Sequence, residues 1–209
     1  DLYNLIAETQ ELFNNDQHDS LLAVAPKVLD FLREHHEWEY YYMLWQNVAE
    51  DHAWYNEMAE ATSEAEAMQK DAIERKDTFG LASSYVTQAI AYQIQDNYIE
   101  AQKSFRKAIS LYPKDAKRGQ LVSIYSYYAE SLEATKDYAK LDSLLGTWRS
   151  LLDNLSPATC REDSEAYAHW YYLYFTRKIA FQIKSNHLTE AATDIDSLVY
   201  YAQATGISD

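Results

Sequence analysis

Residues 82–115 read ASSYVTQAIAYQIQDNYIEAQKSFRKAISLYPKD, and this stretch decides the fold. Tyr85, Ala89 and Tyr92 recur at steps of four and three, the spacing that places side chains on one face of a helix. A polar break at Asp96-Asn97 follows. Tyr98, Ala101, Phe105, Ala108, Ile109 and Leu111 then form a second apolar face. Pro113 stops it, because proline brings no amide hydrogen and disfavours helix in the residue before it. The small Ala89 and Ala101 allow the two helices to approach closely, with Tyr92, Tyr98 and Phe105 filling the space around them. Neither helix buries its stripe alone, so the hairpin requires neighbours.

Working outward, the same pattern returns. Tyr125, Ala129, Leu132, Tyr138, Leu141, Leu145 and Trp148 repeat the spacing with an offset of 40. Trp45, Ala49, Met58, Ala61 and Met68 give an earlier pair starting near Tyr42, followed by a helix that Asp77 or Thr78 caps. Before it lie a short helix around Leu2–Phe13 and another bearing Leu21, Val24, Val28 and Leu32, with Asp19 or Ser20 as cap. That stripe continues on both sides of Pro26, which predicts a kinked helix rather than a start at Ala25. Lys114 to Gly119 is a short polar connection, and SPATCRED at 156–163, with Pro157, is the longest polar break. The last pair, with Phe175, Ile179, Leu188, Ala191, Ile195 and Leu198, ends at Gly206 as a helix C-terminal glycine. The expectation is one domain over 1–209 with units near 2–35, 42–76, 82–115, 122–155 and 165–206.

Composition agrees with a nearly all-helical chain, since four glycines and three prolines in 209 residues are few for β-rich or nucleotide-binding folds. No run of 18 apolar residues is present, so no membrane span is expected. The net charge of −15 is concentrated in residues 1–80, where eighteen acids face five bases. Such a chain repels phosphate backbones, which argues against direct nucleic-acid binding and allows an acidic docking surface for a basic partner. Cys160 is the only cysteine and reads as a small, partly buried apolar residue, with no disulfide or thiolate site. The opening Asp1 reads as a trimmed piece of a longer protein, or a mature form after signal removal.

Chemistry finds little support. Adjacent His35 and His36 point about 100° apart on a helix and cannot easily share an ion. His18, His52, His169 and His187 are far away in sequence, so no metal site is expected. Glu130 and Glu133 share a helical face but lack an orienting histidine or an electrophile stabiliser. No phosphate loop or nucleophile elbow occurs, and neither catalysis nor a cofactor is expected. The nineteen tyrosines, clustered at 40–42, 127–128, 171–174 and 200–201, read as interhelical packing with some left as contact residues.

Tyr85, Ala89, Tyr92, Tyr98, Ala101, Phe105, Ala108 and Pro113 occupy the characteristic positions of a tetratricopeptide repeat, which this stretch resembles, with Gln88 standing where an apolar residue is usual. The resemblance implies an all-α, right-handed superhelix of about five antiparallel helix pairs, a tetratricopeptide-like α-solenoid. In such arrays the first helix of each pair lines the concave surface. By register that surface takes Gln46, Asn47 and Glu50, then Val86, Ile90 and Gln93, then Tyr127, Glu130 and Glu133, and finally Thr176, Arg177 and Lys184. Chaperone-binding members use a basic clamp for a terminal carboxylate. Val86, Ile90, Ser126 and Glu130 stand at the matching positions here, which disfavours that ligand.

The run from His18 to Ala49, together with the repeat at Ala82–Pro113, is similar to the extracytoplasmic repeat regions of membrane-bound bacterial sensor histidine kinases and related regulators. That likeness implies a periplasmic sensor and dimerisation segment of a membrane-anchored receptor, itself non-catalytic and making no membrane contact. A protein, peptide or small ligand would sit in the concave groove, and a homodimer is allowed. The alternative is a soluble cytoplasmic scaffold or adaptor joining two proteins.

Overall fold

The computed structural model describes residues 2–114, 118–155 and 164–205. Expectations for Asp115, for the 156–163 break with Pro157 and Cys160, and for Gly206 lie outside them. Among the described residues there are ten α-helices and no strand, which is the expected all-α, solenoid-type fold. Contacts divide the chain into two compact units, Asp1–Ala116 and Lys117–Asp209.

The first unit holds α1 (Leu2–Asn14), α2 (His18–Glu34), α3 (Trp38–Trp54), α4 (Met58–Arg75), α5 (Thr78–Ile94) and α6 (Tyr98–Leu111). Each helix packs on its neighbour in sequence where it forms a hairpin, and α3 also packs on α1 and α5. Helix α2 runs through Pro26 and starts at His18, with Gln17 as an N-cap that lends no side-chain bond; neither Asp19 nor Ser20 caps it. Asp77 does cap α5, its carboxylate accepting the Gly80 amide at 2.8 Å. Tyr112, just before Pro113, is extended, and α6 ends there.

One turn joins the six helices of the first unit. Asp16, His36, Asn56, Lys76 and Asp96 all have φ between 53° and 63°, one every twenty residues. At His36 the amide bonds Arg33 O at 3.2 Å, and the next amide, Glu37, bonds Leu32 O at 2.9 Å. Paired bonds of this kind close the end of a helix around a left-handed residue. Glu37 O then accepts the Tyr41 amide at 2.9 Å, so the residue that ends α2 also starts α3. The same three bonds recur at Asp16, Asn56, Lys76 and Asp96.

The core follows a forty-residue period. Leu21, Ala25, Val28 and Leu32 form the buried stripe of α2, and Ala61, Ala65, Met68 and Ala72 that of α4. The residue sizes differ from one copy of the stripe to the next, Leu21 and Leu32 giving way to Ala61 and Ala72, while the buried positions stay the same. Helix α3 is fixed to α4 through the polar tips of the buried Tyr42 and the partly buried Trp45. The Tyr42 hydroxyl donates to Asp71 at 2.7 Å and the Trp45 indole N–H to Glu64 at 2.5 Å, while the Arg75 guanidinium lies 3.8 Å from the Trp38 ring centre.

The second unit holds α7 (Arg118–Ala134), α8 (Tyr138–Asp153), α9 (Ser164–Lys184) and α10 (Leu188–Ala204). Lys136 and Asn186 repeat the left-handed turn with φ of 57° and 62°. Leu141, Leu145, Trp148 and Leu152 continue the same stripe in α8, between α7 and α9. Trp148 meets Tyr174 edge-on at 5.6 Å, and Tyr201 of α10 stacks on Tyr171 at 4.8 Å. The tyrosine clusters therefore serve largely as interhelical packing, as the spacing suggested.

Candidate functional site

In the first unit the positions expected to face a groove are interior. Glu50, Val86 and Ile90 are 4%, 1% and 1% exposed, and Gln46, Asn47 and Gln93 are buried as well. This corrects the reading of those six as a contact surface. A register counted along a first helix assumes one open face, but α3 is enclosed by α1, α2, α4 and α5, and α5 by α3, α4 and α6. Asn47 spends its amide on Gln10 of α1 at 3.1 Å. Gln46 donates to Glu50 at 2.7 Å, one turn along the same helix, while its own carbonyl oxygen is buried without a hydrogen-bond partner. Burial pushes the Glu50 carboxyl up to about 7, and the bond from Gln46 offsets only part of that. A cavity of about 10 Å³ lies among Ile6, Thr9, Leu32 and Asn47, room for no more than about one water. Nothing of ligand size opens there.

Sequence separation concealed one polar cluster. His18 at the start of α2 and Asp51 near the end of α3 are bonded at 2.5 Å, and His52 donates to Glu57 at 2.6 Å. The two imidazoles lie edge to face at 6.0 Å, and Tyr55 stacks on His18 at 4.0 Å. Burial opposes a charge on His18, yet the bond to Asp51 and the fields of Asp51, Glu57 and Asp19 outweigh it and raise its pKa. Among the described residues no set of three or more His, Cys, Asp or Glu is arranged to hold a metal. The cluster joins the first hairpin to the second and acts as an electrostatic clasp. No local spacing signals it, because His18 and Asp51 stand 33 residues apart and meet only through the pairing of the hairpins.

In the second unit the expected residues do come together. Glu130 on α7 accepts from Arg177 on α9 at 2.6 Å, and Glu133 one turn further accepts from Lys184. Glu130 and Lys184 are about half exposed. The acidic pair read from the sequence is thus split between two cross-helix ion pairs and has no catalytic geometry. Tyr127, Glu130 and Thr176 share this partly open α7/α9 face with Arg177 and Lys184. Partly exposed ion pairs of this kind add little stability, about 0–1 kcal/mol.

Stacked helical hairpins joined by one repeated turn, with polar groups on first helices rather than in a closed pocket, define an α-solenoid. Residues 82–115 match the tetratricopeptide repeat model. Among solved structures, BtubC (BKLC) from P. vanneervenii is similar, with 11% identity, a TM-score of 0.64, and coverage of 100% of this chain and 93% of that one. Nearly identical TPR-like repeats assigned to a kinesin light chain of Podosopora anserina are similar at 13% identity and a TM-score of 0.60, covering 99% of this chain and 97% of that one. At such identities the likeness is one of fold. No curated protein sequence matches. None of these comparisons repeats the likeness to histidine-kinase sensor regions, and no described helix is long and apolar enough to cross a membrane.

Proposed function

We propose that this chain is a non-catalytic scaffold that binds a protein or peptide, using the α7/α9 face of the second unit. The observation that carries the reading is the pair of cross-helix bridges, Glu130–Arg177 and Glu133–Lys184, which present both signs of charge beside Tyr127 on two adjacent first helices. A solenoid repeat buries one set of faces and leaves another as an extended recognition surface. Fold alone does not choose a ligand, so the weight rests on these side chains. The repeat match at 82–115 supports the scaffold or adaptor reading over the receptor-sensor one.

The test is a peptide-display selection on the immobilised chain, followed by titration of the recovered peptides against Tyr127→Ala/Glu130→Gln. The double variant loses affinity at least about tenfold, as expected for removing an aromatic contact and a charge, with an unchanged urea midpoint. Unchanged affinity for every recovered peptide removes the α7/α9 face as the site.

A further inference from the structure

The forty-residue period exposes an anomaly in α10. Ala25, Ala65, Phe105 and Leu145 occupy one position of the second-helix stripe, and all are buried. Allowing for the ten extra residues before the last turn, the equivalent in α10 is Ile195, which is 45% exposed where Leu145 is 4%. The cause is topological. Helix α8 is packed between α7 and α9, whereas among the described helices α10 packs on α9 alone. Leu188 and Val199, seven residues before and four after Ile195, fall on the same helical face and are 58% and 47% exposed. Tyr200 beside them is 66% exposed. Isolated exposed apolar residues need no explanation, but a stripe of them along one helix marks an interaction surface.

Charge selects the occupant. Helix α10 carries Glu190, Asp194 and Asp196 and no Lys or Arg. Asp194 is committed to Lys178 at 2.8 Å, and the other bases of α9, Arg177 and Lys184, are committed to Glu130 and Glu133. Asp196, next to Ile195, borders the open stripe and has no ion-pair partner among the described residues. A second copy seated here would set Asp196 against Asp196 on helices that carry acids and no bases, like charge against like. A partner helix with basic flanks would meet attraction instead.

We propose that the Leu188–Ile195–Val199 stripe of α10 docks an amphipathic helix whose apolar face is flanked by Lys or Arg. Its anchors follow the i, i+3/i+4, i+7 spacing that packs a helix along a helix. The inference rests on the scaffold reading but uses a surface separate from the α7/α9 face. The probe is a labelled peptide of 17 residues, the length of α10, with leucines at those positions and lysines on both flanks. A matched peptide carries glutamates instead of lysines. Fluorescence anisotropy with the full chain gives at least tenfold tighter binding of the lysine peptide. Ile195→Ser/Val199→Ser weakens it at least tenfold at unchanged helicity, and Asp196→Asn flattens its salt dependence.

Equal affinity of the two peptides, or wild-type binding by the stripe variant, overturns the proposal. So does sedimentation showing a dimer that the stripe variant dissociates, because a second copy then covers the face. If Tyr127→Ala/Glu130→Gln weakens the peptide and the stripe variant does not, the α10 site fails while the scaffold reading stands. If display selection recovers nothing and the lysine peptide still depends on the stripe, the α7/α9 reading fails and this surface stands.

Discussion

Replacing Glu50 with glutamine should make the protein less sensitive to alkali. Glu50 is buried within the first unit and, among the described residues, its carboxylate is hydrogen-bonded by the Gln46 amide alone, at 2.7 Å. Burial raises its pKa from 4.5 to about 7. A carboxyl whose pKa is raised on folding costs nothing below its ordinary value. The cost grows as pH climbs through the interval and is complete above the folded value. At 1.36 kcal/mol per unit, that interval amounts to about 3 kcal/mol, of which about 2–3 develops between about pH 5 and about pH 8. Glu50→Gln keeps the shape and the acceptor for Gln46 but cannot ionise, so its stability lacks this slope. His18, with its own raised pKa, also loses stabilising charge as pH rises past 6.5. That contribution is present in both proteins and cancels in the difference. Urea unfolding of both across this range supplies the assay: the variant gains about 2–3 kcal/mol relative to the parent from the acid to the alkaline end. Parallel pH profiles would refute the argument that Glu50 is desolvated in the fold.

Two further substitutions test packing and backbone. A Cβ on Gly80 would meet the Tyr42 ring at 2.4–2.6 Å, whereas one on Gly146 meets nothing within 4 Å; Gly80→Ala should therefore destabilise by about 1–3 kcal/mol and Gly146→Ala stabilise by about 0.5–1 kcal/mol. The ring is held by its bond to Asp71 and cannot yield, and melting temperatures moving in the same direction would contradict this. Lys136, left-handed at φ 57°, should gain about 0.5–1 kcal/mol on change to glycine, while Asn56→Gly is close to neutral because asparagine tolerates that region. Equal gains at the two positions in denaturant midpoints would show that the left-handed backbone is not what costs stability.

The hairpins were legible because the period of hydrophobic residues is strong and local. Tyr85, Ala89, Ala101 and Phe105 specify both the faces of α5 and α6 and their close approach, and Pro113 marks the end. Asp77 was readable as a cap for the same reason: its signal lies within one turn. Which faces are covered by other hairpins is not written locally. Glu50 and Gln93 look like surface residues in a helical register, yet both are buried. The His18–Asp51 bond spans 33 residues and requires knowing how two hairpins meet. The turns were partly hidden too. A search for glycine finds nothing at positions held by Asp16, His36, Asn56, Lys76 and Asp96, though every one adopts the backbone that glycine favours.

Because the first unit leaves one helix and enters the next through the same three-residue joint within and between pairs, its joints are interchangeable. Excising residues 37–76 would splice His36 directly to Asp77, a left-handed residue followed by a helix starter, as at the native junctions. Forty residues can thus be subtracted, or duplicated, without inventing a new corner. Array length is a quantity that gene rearrangement can adjust in whole steps, leaving side-chain fit between the new neighbours as the obstacle.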